Sequence, residues 1–326
     1  MRILVTGGAG YIGSITTRVL LDAGHECVVL DTLERGYRKA VDARSEFVRG
    51  SVGSREVLER VMPGVDAVMH LAGYIEVAES VAEPERYFRA NAIEPTVMLD
   101  AMHDHGVRAI VFSSTAAVYG EPASTPIRED APTRPVNPYG ASKLAFEEAL
   151  DERQATGAMR AIRFRYFNVA GAWPDGSMGE AHEPETHIVP RVLAALRDGQ
   201  ERFEVFGGDY PTADRTCVRD YIHVLDLAHA HRLGLEALQH GEPGGVYNLG
   251  NGRGYTNLEV VRACAEVSGR DVEIAIGPRR VGDPAVLVAS AEKAHMELGW
   301  LAGRGKLRDM IGDAWQWHLE HPNGYR

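Results

Sequence analysis

Tyr139 and Lys143 stand four residues apart in PYGASK, Pro138 to Lys143. On a helix this spacing puts both side chains on one face, side by side. An ammonium beside a phenol favours the phenolate and draws its pKa from about 10 towards neutrality. Such a tyrosine can take and return the proton of a sugar or alcohol hydroxyl. A third partner would come from a strand end facing the same cleft. VFSSTAAVYG, Val111 to Gly120, offers Ser113, Ser114 and Thr115 after an apolar run. Thr115 is the candidate for the hydroxyl that hydrogen-bonds the reacting oxygen, while Ser113 and Ser114 can instead satisfy backbone groups at the strand end. Y-x-x-x-K pairs are common on helix surfaces, so this one takes its meaning from the rest of the chain.

The first fourteen residues, MRILVTGGAGYIGS, supply that context. Arg2 to Val5 read as a buried strand, followed at once by Gly7, Gly8, Gly10 and Gly13. The string fits both G-x-G-x-x-G and G-x-x-G-x-x-G. Glycine suits these positions because a Cβ would block the tight turn and the approach of a pyrophosphate to the backbone. The helix expected from Tyr11 to Ala23 aims free N–H groups and its positive end at that pyrophosphate. A second strand, Glu26 to Leu30, ends in Asp31. A carboxylate about twenty residues past the glycines can accept both ribose hydroxyls of an adenosine and would repel a 2′-phosphate. The expected cofactor is NAD rather than NADP. Its nicotinamide cation would add to the pull on the Tyr139 proton.

Strand-like runs at Glu46–Arg49, Val65–His70, Arg108–Ser113 and Met159–Arg165 alternate with helical patterns near Arg55–Val61, Glu85–His105 and Tyr139–Thr156. Continuous apolar strands alternating with helices imply an α/β fold, a doubly wound (Rossmann) parallel sheet. Pro95 should kink the long Glu85–His105 helix. After Asn168 the chain changes character. A Gly-, Pro- and acid-rich loop, Val169 to Glu185, leads to a helix near Pro190–Asp198, a strand at Phe203–Gly208, and VRDYIHVLDLAHAHRLGLEAL. The expected division is residues 1–168 plus about 220–250 as an NAD-binding domain, with 169–219 plus about 251–326 as a smaller mixed α/β substrate lobe capping the cleft.

The chain has 326 residues, a net charge of −11 and no basic cluster of the kind nucleic-acid binding needs. An anionic substrate must be held by a few placed arginines and backbone N–H groups. Cys27, Cys217 and Cys264 are far apart, and no metal-ligand spacing is recognised, so no metal is expected. With no leader pattern and no long apolar stretch, a cytoplasmic protein that does not enter membranes is expected.

TGGAGYIGS, HLAG (His70 to Gly73), SSTAAVYG, NPYGASK, RYFNVAGA (Arg165 to Ala172), FGGDYPTADRTCVRDYIHVLDLA, YNLGNG and RRVGDPA together resemble the UDP-glucose 4-epimerase family of extended short-chain dehydrogenases/reductases, over almost the full length. The resemblance implies that Tyr139 takes the proton of the sugar 4-hydroxyl while NAD takes the hydride from carbon 4. The keto sugar then turns about its pyrophosphate link and is reduced on its other face, interconverting UDP-glucose and UDP-galactose. It also implies cofactor contacts from Gly7, Gly10, Tyr11, Ile12, Gly13, Asp31, Leu71, Ala72, Gly73, Ser113, Tyr139, Lys143 and Tyr166. Asn91 resembles a helix asparagine that orients water near the lysine, or is an amide serving its own helix. Substrate contacts carry over to Thr115, Tyr139, Asn168, His187, Ile188, Arg219, Arg280 and Asp283. Phe206 and Tyr221 line the uracil and diphosphate region or are core aromatics. By the same analogy a homodimer forms through the two long helices.

Four positions depart from the family pattern: Gly50-Ser51 where an adenine-contacting Asp is usual, Ile75 in place of a lysine, Cys217 before the arginine, and Leu287 in the sugar pocket. A dehydratase would carry T-D-E where this chain reads Thr115-Ala116-Ala117. A 4-epimerase of an N-acetylhexosamine, uronic acid or pentose shares the same chemistry, and a non-catalytic NAD-sensing scaffold is the reading from a different class.

Overall fold

A computed structural model describes residues 1–279 and 283–326. The strands are β1 (Arg2–Thr6), β2 (Glu26–Asp31), β3 (Glu46–Arg49), β4 (Ala67–His70), β5 (Ala109–Ser113), β6 (Arg160–Tyr166), β7 (Asn168–Ala170), β8 (Arg202–Phe206), β9 (Val218–His223), β10 (Gly244–Leu249), β11 (Gly254–Thr256), β12 (Glu273–Gly277) and β13 (Val286–Leu287). The helices are α1 (Tyr11–Asp22), α2 (Arg55–Val61), α3 (Val77–Ala82), α4 (Pro84–Phe88), α5 (Glu94–Asp104), α6 (Pro138–Ala155), α7 (Ile188–Arg197), α8 (Val224–Gln239), α9 (Asn257–Ser268), α10 (Glu292–Leu298) and α11 (Leu307–Glu320).

Seven strands form one parallel sheet in the order β10-β6-β5-β4-β1-β2-β3. Their residues are buried on both faces because helices cover both. Leu20 of α1 and Leu227 and Leu235 of α8 pack on one side. Leu58 of α2, Met98 and Leu99 of α5 and Phe146 and Leu150 of α6 pack on the other. The order reverses between β1 and β4, the switch point where open sheets of this class bind ligands. Register then decides which residues meet there. Thr6 pairs with Leu30 and His70, His70 with Phe112, and Ser113 with Phe164. The strands therefore end level, and Gly7, Asp31, Leu71, Thr115 and Tyr166 emerge at one edge.

A second region is built around β9, which pairs with β7, β11 and β13, and around the β8–β12 pair. Val192, Leu193, Val260, Met310 and Ile311 of α7, α9 and α11 make its core. The β10 strand crosses back to the large sheet. Asp220, fully buried in β9, fixes the surrounding chain by accepting N–H bonds from Asn251 at 2.9 Å, Gly252 at 3.0 Å and Ala289 at 3.1 Å.

The Glu85–His105 segment, expected as one kinked helix, is α4, a π-helical turn over Arg89–Ile93, and α5. Pro95 is the cause. It has no N–H for the Asn91 carbonyl, and its ring crowds that carbonyl in a regular helix. The wider turn relieves both. Among the described residues, no helix is long and apolar enough to cross a membrane.

Candidate active site

The carboxyl edge of the large sheet opens into a cleft of about 1380 Å³, walled on the far side by β7, β8, β9 and β13. That exceeds the usual space for one small ligand, about 300–1,000 Å³, and suits a dinucleotide with a second nucleotide.

The glycine turn closes one end. A Cβ on Gly13 would lie 2.1 Å from the Gly7 carbonyl oxygen, and one on Gly7, whose φ is +74°, would lie 2.6 Å from Ala72 N. Both are sterically obligatory glycines. Gly10 precedes α1 without a side-chain cap, so the first amides of the helix face the cleft unclaimed. Asp31, at the tip of β2, accepts N–H bonds from Ala9 at 3.0 Å and Leu33 at 2.8 Å, and burial pushes its pKa up. Each oxygen keeps accepting capacity towards the cleft. Leu71, Ala72, Gly73, Tyr11, Ile12 and Tyr166 line the same end.

The α6 helix starts beside this turn because Asn137 caps it, accepting from Gly140 N at 2.9 Å, and Pro138 occupies the first helical position. Tyr139 and Lys143 follow on one face. Tyr139 is half-buried on the cleft wall, which Thr115 also lines. Lys143 donates to the Ser113 carbonyl at 3.0 Å and lies 4.9 Å above the Phe112 ring. Thr115, two residues past β5, caps the short 3-10 turn Ala116–Tyr119 and accepts from Ala117 N at 3.1 Å. One turn beyond Lys143, Glu147 pairs with Arg165 at 2.5 Å and accepts from Ser114.

Burial is the largest influence on both groups in the nucleotide-free protein. It pushes the Tyr139 phenol up to about 12, with Thr115 opposing. Burial also lowers Lys143 to about 8, with Glu147 opposing. Desolvation is the largest influence on the phenol in the nucleotide-free protein, and the ammonium donates to the Ser113 carbonyl.

Two other expected residues serve the frame. Ser113 Oγ is 2.7 Å from His231 Nε2, behind the sheet edge, and its contribution to the site is the carbonyl that holds Lys143. Asn91 accepts from Tyr74 N at 2.9 Å and donates to Tyr74 O at 3.0 Å and to Ser142 Oγ at 3.1 Å, so it ties the loop after β4 to α6. A Cβ on Gly73 would lie 2.6 Å from its Oδ1.

Asn168, His187, Ile188, Phe206, Arg219, Tyr221 and Asp283 all line the opposite wall. Arg219 is bonded to Asp283, so the anticipated diphosphate and ribose groups are partners across β9. Arg280 lies outside the described residues. Ser51 borders the cleft but donates to Glu94 at 2.8 Å and accepts from Gly53 N at 3.0 Å. Ile75, Cys217 and Leu287 also border it.

The model of the NAD dependent epimerase/dehydratase family matches residues 3–250. The chain belongs to this family. Among epimerases of the family it is 46% identical over 327 residues to the UDP-glucose 4-epimerase of Lacticaseibacillus casei, covering 100% of this chain and 99% of that one. It is 48% identical to the UDP-glucose 4-epimerase of Azospirillum brasilense, over 97% of this chain and 91% of that one. A crystal structure of a UDP-glucose 4-epimerase superposes with a TM-score of 0.96 at 43% identity, covering 100% of both chains. The Bifidobacterium longum UDP-glucose 4-epimerase, in complex with NAD+ and UDP, superposes with a TM-score of 0.94 at 38% identity, over 99% and 100% of the chains.

Sequence reasoning missed several groups that this epimerase-family cleft brings together. Glu180, His182 and Glu185 converge with His187. Glu-x-His-x-x-Glu-x-His was the available signal, hidden inside a segment read only as loop. Glu147 was also missed, although it continues the four-residue spacing of Tyr139 and Lys143. The Asn-Pro before Tyr139 was the signal for the cap that starts α6.

Proposed function

We propose that this chain interconverts UDP-glucose and UDP-galactose by inverting carbon 4 of the sugar, with NAD as its resident cofactor. The observation that carries the reading is that Thr115, Tyr139 and Lys143 share one cleft between the glycine turn and the Arg219/Asp283 wall. The residues fit NAD: the uncapped start of α1 suits a pyrophosphate, the Gly7–Gly13 contact leaves no space for side chains, and Asp31 keeps acceptor capacity for ribose hydroxyls. NAD, when bound, supplies the two-electron acceptor and donor for carbon 4 and a positive ring charge.

Tyr139 moves the proton of the 4-hydroxyl at its phenol oxygen. Thr115 holds the reacting oxygen and the phenol in line. Lys143 is mostly charged at neutral pH, with its pKa near 8, and stabilises negative charge forming on the phenol. Arg219, Asp283, Asn168 and Phe206 grip the nucleotide, so the sugar is held mainly through UDP and can present either face. In this reading residues 1–168 with about 220–250 form the NAD-binding domain, and 169–219 with about 251–326 the substrate lobe. Support comes from β10, which joins β6 in the large sheet.

Purified protein should convert each sugar nucleotide into the other without added reductant. Tyr139→Phe should lose at least about 100-fold in kcat, the low end for removal of a general acid–base group, and still bind NAD. A wild-type protein that binds NAD and leaves both sugars unchanged overturns the proposal. The same reading includes a cytoplasmic homodimer. Phe88 and Ile93, 37% and 62% exposed beside the π-turn, support a partner on that face. Light scattering at micromolar concentration giving a monomer mass would refute the dimer.

A further inference from the structure

Four side chains of the loop between β7 and α7 converge on one point. Glu180, His182, Glu185 and His187 each offer one donor atom, and these atoms lie within 4.8 Å of one another. His182 Nδ1 is 3.0 Å from Glu180 and 3.6 Å from Glu185. His187 Nδ1 is 2.9 Å and 3.1 Å from the same two carboxylates. Two imidazoles and two carboxylates thus bring their donor atoms together at the cleft wall, which Glu180, His182 and His187 line.

Hydrogen-bonded ion pairing accounts for His187 Nδ1, 3.1 Å from Glu185 Oε1, but not for His182. A protonated imidazole directs its N–H along one line towards one oxygen. His182 Nδ1 is buried and makes no aligned hydrogen bond, despite its distance from Glu180. A cation at the centre needs no such alignment between ligands. Zinc with nitrogen and oxygen ligands at about 2.0–2.1 Å in a tetrahedron sets its ligand atoms about 3.4 Å apart. The four histidine–carboxylate contacts, those to Glu185 being to its two different oxygens, run from 2.9 to 3.6 Å, and the one-atom-per-residue donor set lies within 4.8 Å, so small side-chain shifts close the shell. Two carboxylates and two neutral imidazoles balance a divalent charge. Mixed nitrogen and oxygen donors favour zinc-like ions over magnesium or calcium, which prefer oxygen alone.

The surroundings hold the ligands in place. Glu185 Oε1 accepts from Thr186 N and His187 N, both at 2.8 Å, and the Glu180 carbonyl accepts from Trp317 Nε1 at 2.9 Å. Tyr11, first residue of α1, packs edge-on against His182. His187 occupies the N-cap position of α7, the helix that begins with Ile188, and its side chain makes no cap hydrogen bond.

We propose that Glu180, His182, Glu185 and His187 form a closed site for one zinc-class divalent ion, which fastens the loop between the glycine-turn end of the cleft and α7. With four protein ligands the ion has no open position, so its role is to hold the cleft wall in place.

Full-length protein, stripped with chelator, loaded with zinc chloride and desalted, should retain one zinc per chain by mass spectrometry of the metal. The Glu180→Gln/His182→Gln double variant should retain at least about tenfold less, as expected when half of a four-ligand shell is removed. A His103→Gln/His105→Gln variant, altered on the exposed surface, should retain the wild-type amount. Cobalt(II) added to the stripped wild type should give the intense visible bands of a tetrahedral centre, a readout independent of whether any variant folds. Wild type retaining no more zinc than the cluster variant, a weak six-coordinate cobalt spectrum, or loss of zinc in the surface variant would each overturn the proposal.

Discussion

Replacing Lys143 by Met should make the nucleotide-free protein more stable at pH 7 while abolishing turnover. Burial lowers the Lys143 pKa from 10.5 to about 8. At about 1.4 kcal/mol for each tenfold, holding the charged form in the folded protein at pH 7 costs about 3 kcal/mol relative to the unfolded chain. Methionine occupies a similar volume without a charge. It leaves the Ser113 carbonyl, now served at 3.0 Å, without its donor, which costs about 1 kcal/mol. The net expectation is a gain of about 2 kcal/mol. The pH dependence makes the test specific. Between about 8 and 10.5 the unfolded chain keeps the lysine proton that the folded chain has released, so wild-type stability rises with pH through that window. By pH 9.5 the wild type recovers about 2 kcal/mol, and the lead of the variant vanishes. Urea denaturation of both stripped proteins at pH 7 and pH 9.5 measures this. A variant less stable than wild type at pH 7, or a lead unchanged at pH 9.5, refutes the account of Lys143 as a group held at the expense of stability.

Gly13→Ala places a Cβ 2.1 Å from the Gly7 carbonyl, so it should lose about 2 kcal/mol of stability and most NAD retention, read from unfolding curves and bound-nucleotide absorbance. Glu147→Gln removes the carboxylate paired with buried Arg165 at 2.5 Å and should cost about 3 kcal/mol in urea denaturation; a loss below about 1 kcal/mol would mean that the pair is dispensable. Asp220→Asn turns an amide N–H against at least one of three backbone donors, Asn251 on one oxygen or Gly252 and Ala289 on the other, and should cost about 2 kcal/mol at pH 7. Burial raises Asp220 from 3.8 to about 6, so its contribution is largest in acid and falls as pH rises through 6; the deficit of the variant should therefore be wider at pH 5 than at pH 7 in the same assay.

Much of the fold was legible locally. Arg2–Thr6 and Glu26–Asp31 form because β-branched and apolar residues run without interruption between turn signals, and their ends were read to within one residue. The glycines, Asp31 and the Tyr139–Lys143 spacing were legible because each depends on near neighbours in the chain. The π-turn at Arg89–Ile93 was not, since a proline announces a disturbance without saying whether the helix bends or widens. The side-chain partners of Ser113 and Asn91, namely His231, Tyr74 and Ser142, were not legible either. Those partners lie between 17 and 118 residues away, beyond any local pattern.

The sequence by itself determined the nucleotide-binding end of the cleft and the pair of residues for proton chemistry. Both rest on steric exclusion at glycine and on helical spacing, which act over a few residues. Tertiary structure alone decided the electrostatics. Burial pushes Tyr139 up to about 12 and Lys143 down to about 8 in the nucleotide-free protein, because desolvation depends on every element packed around them. It also decided that Arg219 faces Asp283 and that Glu180, His182, Glu185 and His187 share a centre. Such convergence depends on the path of the backbone in space, which residue types and spacing do not specify.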